Sequence, residues 1–200
     1  FSVLVSQKFG AKDEDGIRQN SAVTKENYSA VFSKFIAKNP EAEQQRDAGS
    51  TCISYIGENG QVNTNTQPWP VSKAIFTIKN ENVSENIPSE KLVGSITTTQ
   101  TIEAGKTIEA NYVLSWHFDH PFSKRLAKLP ETKGNYYYGK RFKDASEVVA
   151  YIAQNFQQLH SQTLLWQKTF YDSTLPHWFL ERTFLNIGTL LHASPNMRDF

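Results

Sequence analysis

Trp178, Arg182, Asn186 and Thr189 recur at intervals of four, four and three residues, the spacing that brings side chains to one face of an α-helix. They lie within an otherwise apolar segment, Phe179, Leu180, Phe184, Leu185, Ile187, Leu190 and Leu191, which predicts a helix buried on several sides from Pro176 to about His192. Unpaired buried donors and acceptors cost about 1–3 kcal/mol each, so a polar line on such a helix faces other polar groups or a wet cavity. Arg182, Asn186 and Thr189 are therefore the polar groups on this face that need such surroundings. The competing reading for each is a helix-packing contact. Glu181 falls off this face and suits a salt bridge better than catalysis.

Other reactive residue types are sparse. Cys52 is the only cysteine, which excludes an intrachain disulfide framework and a cysteine-rich zinc site. It sits in TCISYI, an alternating stretch that predicts a buried strand thiol. His117, His120, His160 and His177 have no metal-ligand spacing, and no metal or cofactor is expected. The sequons Asn27-Tyr28-Ser29 and Asn82-Val83-Ser84 carry little weight at this length of motif. Trp69-Pro70 reads as a loop anchor, with stacking on a sugar ring as the alternative.

The elements that would position these groups change character along the 200 residues. Before about residue 120, short runs rich in Thr, Val, Ile and aromatics alternate with turn residues, an all-β signature that predicts an antiparallel β-sandwich over residues 1–120. Predicted strands are Ser2–Val5, Cys52–Ile56, Ala74–Lys79, Leu92–Ile102 and Thr107–Phe118, with tight turns at Glu58-Asn59-Gly60 and Glu103-Ala104-Gly105-Lys106. The last two strands form the strongest predicted hairpin. Residues Thr24–Asp47 carry Tyr28, Val31, Phe32, Phe35 and Ile36 at amphipathic spacing and predict a helical insertion.

Residues 121–143 read as a basic linker punctuated by proline and glycine, and 144–200 as helices. Asp144 with Glu147 three residues on forms a capping arrangement for the first long helix. Val149, Ile152, Phe156, Leu159, Thr163 and Trp166 give that helix one apolar stripe, as in an outer, half-exposed helix. Ser173 or Thr174 is the predicted cap of the second helix, with Pro176 in its first turn. An outer helix followed by an inner one is the repeating unit of an α/α toroid.

Charge and hydropathy exclude some partners. Lysine plus arginine number 21 against 20 acidic residues, so a net charge of +1 gives no electrostatic reason to expect nucleic acid or an anionic membrane. No apolar run approaches the roughly 20 residues of a transmembrane helix. The chain begins at Phe1, and its start is expected to be processed or trimmed, with no signal peptide left to read.

LSWHFDHP, followed by NYYYGKRFKDASEVVAYIAQNFQQLHSQTLLWQKTFYDSTLPHWFLERTFLNIGTLL, resembles the junction between the amino-terminal β-sandwich and the (α/α)6 barrel of glycoside hydrolase family 116. That family includes non-lysosomal glucosylceramidases and bacterial β-glucosidases. The resemblance covers about residues 110–192 and rests most on Trp116, the Tyr138–Phe142 segment, the Asp172–Trp178 turn and Asn186. It implies a sandwich followed by the first helical pair of a toroid, belonging to a hydrolase of β-glucosides or related glycans in a divergent bacterial branch. The remainder of the same polypeptide is then a partner, and a secreted or periplasmic location is favoured over a cytoplasmic one.

One departure matters. Glucosylceramidase relatives carry an FNELYFL-like segment whose glutamate is the nucleophile; here LNIGTLL places Ile187 at that position. Such hydrolysis needs two carboxyl groups about 5 Å apart for retention or up to roughly 9.5 Å for inversion. The resemblance therefore implies that the carboxylates lie mostly outside this chain, which supplies a pocket wall through Arg182, Asn186, Thr189 and His192. A second reading, equally compatible with Ile187, is a non-catalytic sandwich module that binds a glycan or a protein.

Overall fold

A computed structural model of the chain describes residues 2–6, 12–45, 47–66, 82–118 and 137–184. The strands are β1 (Ser2–Ser6), β2 (Gly16–Thr24), β3 (Tyr28–Ala37), β4 (Ser50–Ile56), β5 (Gln61–Asn63), β6 (Val83–Asn86), β7 (Val93–Thr97) and β8 (Asn111–His117). They form two antiparallel sheets, ordered β1-β7-β5 and β6-β2-β3-β4-β8. The described helices are α1 (Pro40–Glu43), α2 (Tyr137–Arg141), α3 (Ala145–Tyr171) and a helical segment at 177–184.

Strand β3 organises the molecule because both of its faces are covered. Tyr28 and Ala30 lie in a cluster with Cys52 and the α3 residues Ala145, Val149 and Ala153. Val31, pointing the other way, joins Val5, Ile53, Tyr55 and Ile96 between the sheets. The sheets approach closely there: a Cβ on Gly94 of β7 would lie 2.4 Å from Val31 Cγ1, so only glycine fits. Polar groups supply much of the remaining contact. Asn20 donates from Nδ2 to the Thr64 carbonyl at 2.9 Å, and its Oδ1 accepts from the Ser33 hydroxyl at 2.6 Å. Burying such an amide is tolerable because both of its ends are bonded.

The helical insertion expected over Thr24–Asp47 is mostly strand. Residues 28–37 pair with β2 and β4 across the full length of β3, and only the four residues of α1 are helical, capped by Asn39. The expected hairpin of Leu92–Ile102 with Thr107–Phe118 does not form either. β7 pairs with β1 and β5 in the small sheet, while β8 crosses to pair with β4. The Glu103–Lys106 turn exists, closed by Lys106 N–H donating to the Glu103 carbonyl, but it serves this crossover. The predicted strand Ala74–Lys79, the Trp69-Pro70 loop and linker residues 121–136 lie outside the described residues; the linker's end, Tyr137–Arg141, is helical.

Asp144 caps α3 as expected, accepting through Oδ1 from the amides of Ser146 and Glu147. Glu147 reaches back to the Lys143 amide at 2.8 Å. Small side chains at Ala145 and Ala153 let the first turns of α3 lie against the sheet. After Ala153 the helix, 27 residues and so about 40 Å long, leaves the sheet. Along the predicted stripe Val149 is buried, Ile152, Phe156 and Leu159 are half-buried, and Thr163 and Trp166 are exposed.

Candidate functional site

The end of β8 and the start of α3 are tied together by side chains from three segments, β4, β8 and α2. The Ser50 hydroxyl accepts the Ala145 amide at 3.0 Å, and the Ser115 hydroxyl donates to the Ala145 carbonyl at 2.9 Å. His117, buried, bonds through Nε2 to the Phe142 carbonyl at 2.8 Å. A carbonyl only accepts, so Nε2 carries a proton in this bond. Tyr138 packs edge-on against His117 with centroids 5.3 Å apart, and its hydroxyl accepts the Phe118 amide at 3.1 Å while donating to the Phe118 carbonyl. Trp116–Phe118 and Tyr138–Phe142, separate in sequence, thus meet in space.

Beside this junction lies a cavity of about 500 Å³. Its polar lining includes Lys34 from β3, Glu43 from α1, Ser50 from β4, His117 from β8 and Asp144 at the cap of α3; Phe32 and Ile36 are among its apolar walls. Sequence reasoning missed it. Its residues come from five segments whose convergence depends on β3 being a strand, and no local spacing announces that.

The second helix begins later than predicted. Leu180 N–H donates to the Pro176 carbonyl and the helical residues start at 177, while the Ser173 hydroxyl accepts the Leu175 amide at 3.2 Å within the preceding turn. Proline at 176 disfavours the helical conformation at Leu175, and the capping position falls at Pro176 rather than at Ser173 or Thr174. The segment then folds back on α3. Phe184 lies 4.5 Å from Trp166, 4.0 Å from Phe170 and 5.9 Å from Tyr171, centroid to centroid.

Of the four predicted binding residues, Arg182 is described and exposed, on the same helical face as Trp178. Asn186, Thr189 and His192, and with them Ile187, lie outside the described residues. The burial expected around this helix is partial: Leu180 is buried, but Trp178 is 68% exposed and Phe179 40%. Leu165 of α3 is 65% exposed. Glu181 is exposed and, among the described residues, makes no salt bridge.

Cys52 is buried as predicted, and burial pushes its thiol up to about 12, with the Asp144 charge acting in the same direction. Among the described residues no group of three or more His, Cys, Asp or Glu could hold a metal ion, and no helix is long and apolar enough to cross a membrane. No family model, curated protein or solved structure matches the chain.

Proposed function

We propose that this chain is the sandwich-and-first-helices portion of a carbohydrate-active enzyme, a glycoside hydrolase of β-glucosides or related glycans whose carboxylate pair lies mostly outside residues 1–200. The observation that carries this reading is the helical pair. Segment 177–184 turns back on α3 through Phe184 and leaves Leu165, Trp178 and Phe179 open to solvent, an apolar surface suited to further helices of an (α/α)6 toroid. The bonds from His117 and Phe118 to Phe142 and Tyr138 join two stretches that lie within the segments of the family resemblance, which fits the same reading. Arg182, Asn186, Thr189 and His192 would then hydrogen-bond sugar hydroxyls. Ile187 has no ionisable group and takes no part in the chemistry.

The test is an assay of the natural full-length polypeptide with a panel of aryl β-glycosides. Turnover is expected, with residues 1–200 alone inactive. Sugar or protein binding without turnover would replace this reading with the non-catalytic module.

A further inference from the structure

We infer that the cavity between β3, α1 and the start of α3 is a binding site for an uncharged sugar ring, separate from the helical face that bears Arg182. Its volume, about 500 Å³, falls within the ~300–1,000 Å³ of small-molecule sites. Its lining holds two charges of each sign, Lys34 and Lys143 with Glu43 and Asp144, and Lys143 is paired with Glu147. The lining thus carries no net charge to favour an anion or a cation. An uncharged polyol needs no such excess and meets donors and acceptors alike.

The groups needed to recognise hydroxyls remain available. Asp144 caps α3 through Oδ1, accepting from Ser146 N, Ser146 Oγ and Glu147 N, and among the described residues Oδ2 is left over. Lys34 makes no ion pair among the described residues. His117 contributes a ring held in place by its bond to the Phe142 carbonyl. Phe32 and Ile36 offer apolar wall to the C–H face of a ring, the complement that carbohydrate requires and that a charged metabolite does not. The inference does not depend on the hydrolase reading, which concerns the helical face.

Saturation-transfer NMR and calorimetric titration of the chain with glucose, galactose and cellobiose test it, with glycine as a zwitterion control and inorganic phosphate as an anion control. Lys34→Met keeps the apolar stem of the side chain and Asp144→Asn keeps a competent helix cap, so both variants should retain the native far-ultraviolet spectrum. At least one neutral sugar is expected to bind, each variant weakening it about tenfold and Glu103→Ala, in an exposed turn outside the cavity, leaving it unchanged. Absence of sugar binding, binding indifferent to both cavity variants, or preference for phosphate or glycine would overturn the inference. Binding lost only in Arg182→Ala would also overturn it, while leaving the hydrolase reading intact.

Discussion

The hydroxyl of Ser50 accepts the amide of Ala145 at 3.0 Å across 95 positions of sequence, so a residue of strand β4 completes the cap of helix α3. Asp144 satisfies the amides of residues 146 and 147, and Ser50 takes that of residue 145. The first turn of α3 is thereby hydrogen-bonded jointly by its own cap and by the sheet.

Removing either partner should loosen this joint. Ser50→Ala leaves a buried amide without an acceptor and is expected to destabilise by about 1–3 kcal/mol. Asp144→Ala should cost about 1 kcal/mol, and Asp144→Asn much less. Urea unfolding followed by circular dichroism checks this ranking; equal stability of the Ser50 variant and the parent would contradict it.

Thr51 presents the opposite case. Its hydroxyl is buried with no hydrogen-bond partner among the described residues, and the residue sits mid-sheet, paired with Ser33 and Trp116. Thr51→Val removes the unpaired group and keeps the branched shape that suits a strand, so stability should rise by about 1 kcal/mol. A lower thermal midpoint in the variant would show that the hydroxyl is satisfied after all.

Cys52 sets a pH dependence. Below the ordinary thiol value of 9.0 the folded and unfolded chains both keep the proton, and pH has no effect through this group. Between 9.0 and about 12 the unfolded chain ionises while the folded one does not. The unfolded state then binds fewer protons, so stability falls as pH rises, by up to ~1.4 kcal/mol per pH unit. Cys52→Ala should flatten that slope relative to the parent when urea midpoints are compared at about pH 8 and about pH 10. A thiol reagent that labels the folded parent as fast as the unfolded chain would contradict the burial on which this rests.

Legibility in the sequence followed the range of the interaction concerned. The Asp144 cap was readable because it acts within three residues, and the burial of Cys52 because β4 is buried on both faces over almost its whole length, so either face hides it. Tyr28–Ala37 misled because a strand covered on both faces reads as a nearly continuous apolar run, which fits helical spacing equally well. The β7–β8 hairpin misled because adjacent strands can belong to different sheets, and which sheet is decided by Ile96 packing on Val31 and Ser115 bonding Ala145. The cavity inherits both obstacles, since Lys34 reaches it only when β3 is a strand and His117 only when β8 pairs with β4.

The open helical face predicts self-association of residues 1–200 alone. Leu165 and Trp178 should promote concentration-dependent oligomers and binding of an apolar dye. Leu165→Glu combined with Trp178→Ser should suppress both while shifting stability by no more than about 0.5 kcal/mol, since both side chains are largely exposed. A strictly monomeric parent that binds no dye at high concentration would show the face to be inert.

The central claim is that the helical pair α3 and 177–184 begins a larger helical layer, and hydroxyl-radical footprinting of Leu165 tests it most directly. In residues 1–200 alone Leu165 should oxidise at the rate of an exposed leucine, whereas in the natural full-length polypeptide it should be strongly protected by the helices packed over it. Equal oxidation in the two would mean that nothing covers α3 there, and the toroid reading would fall.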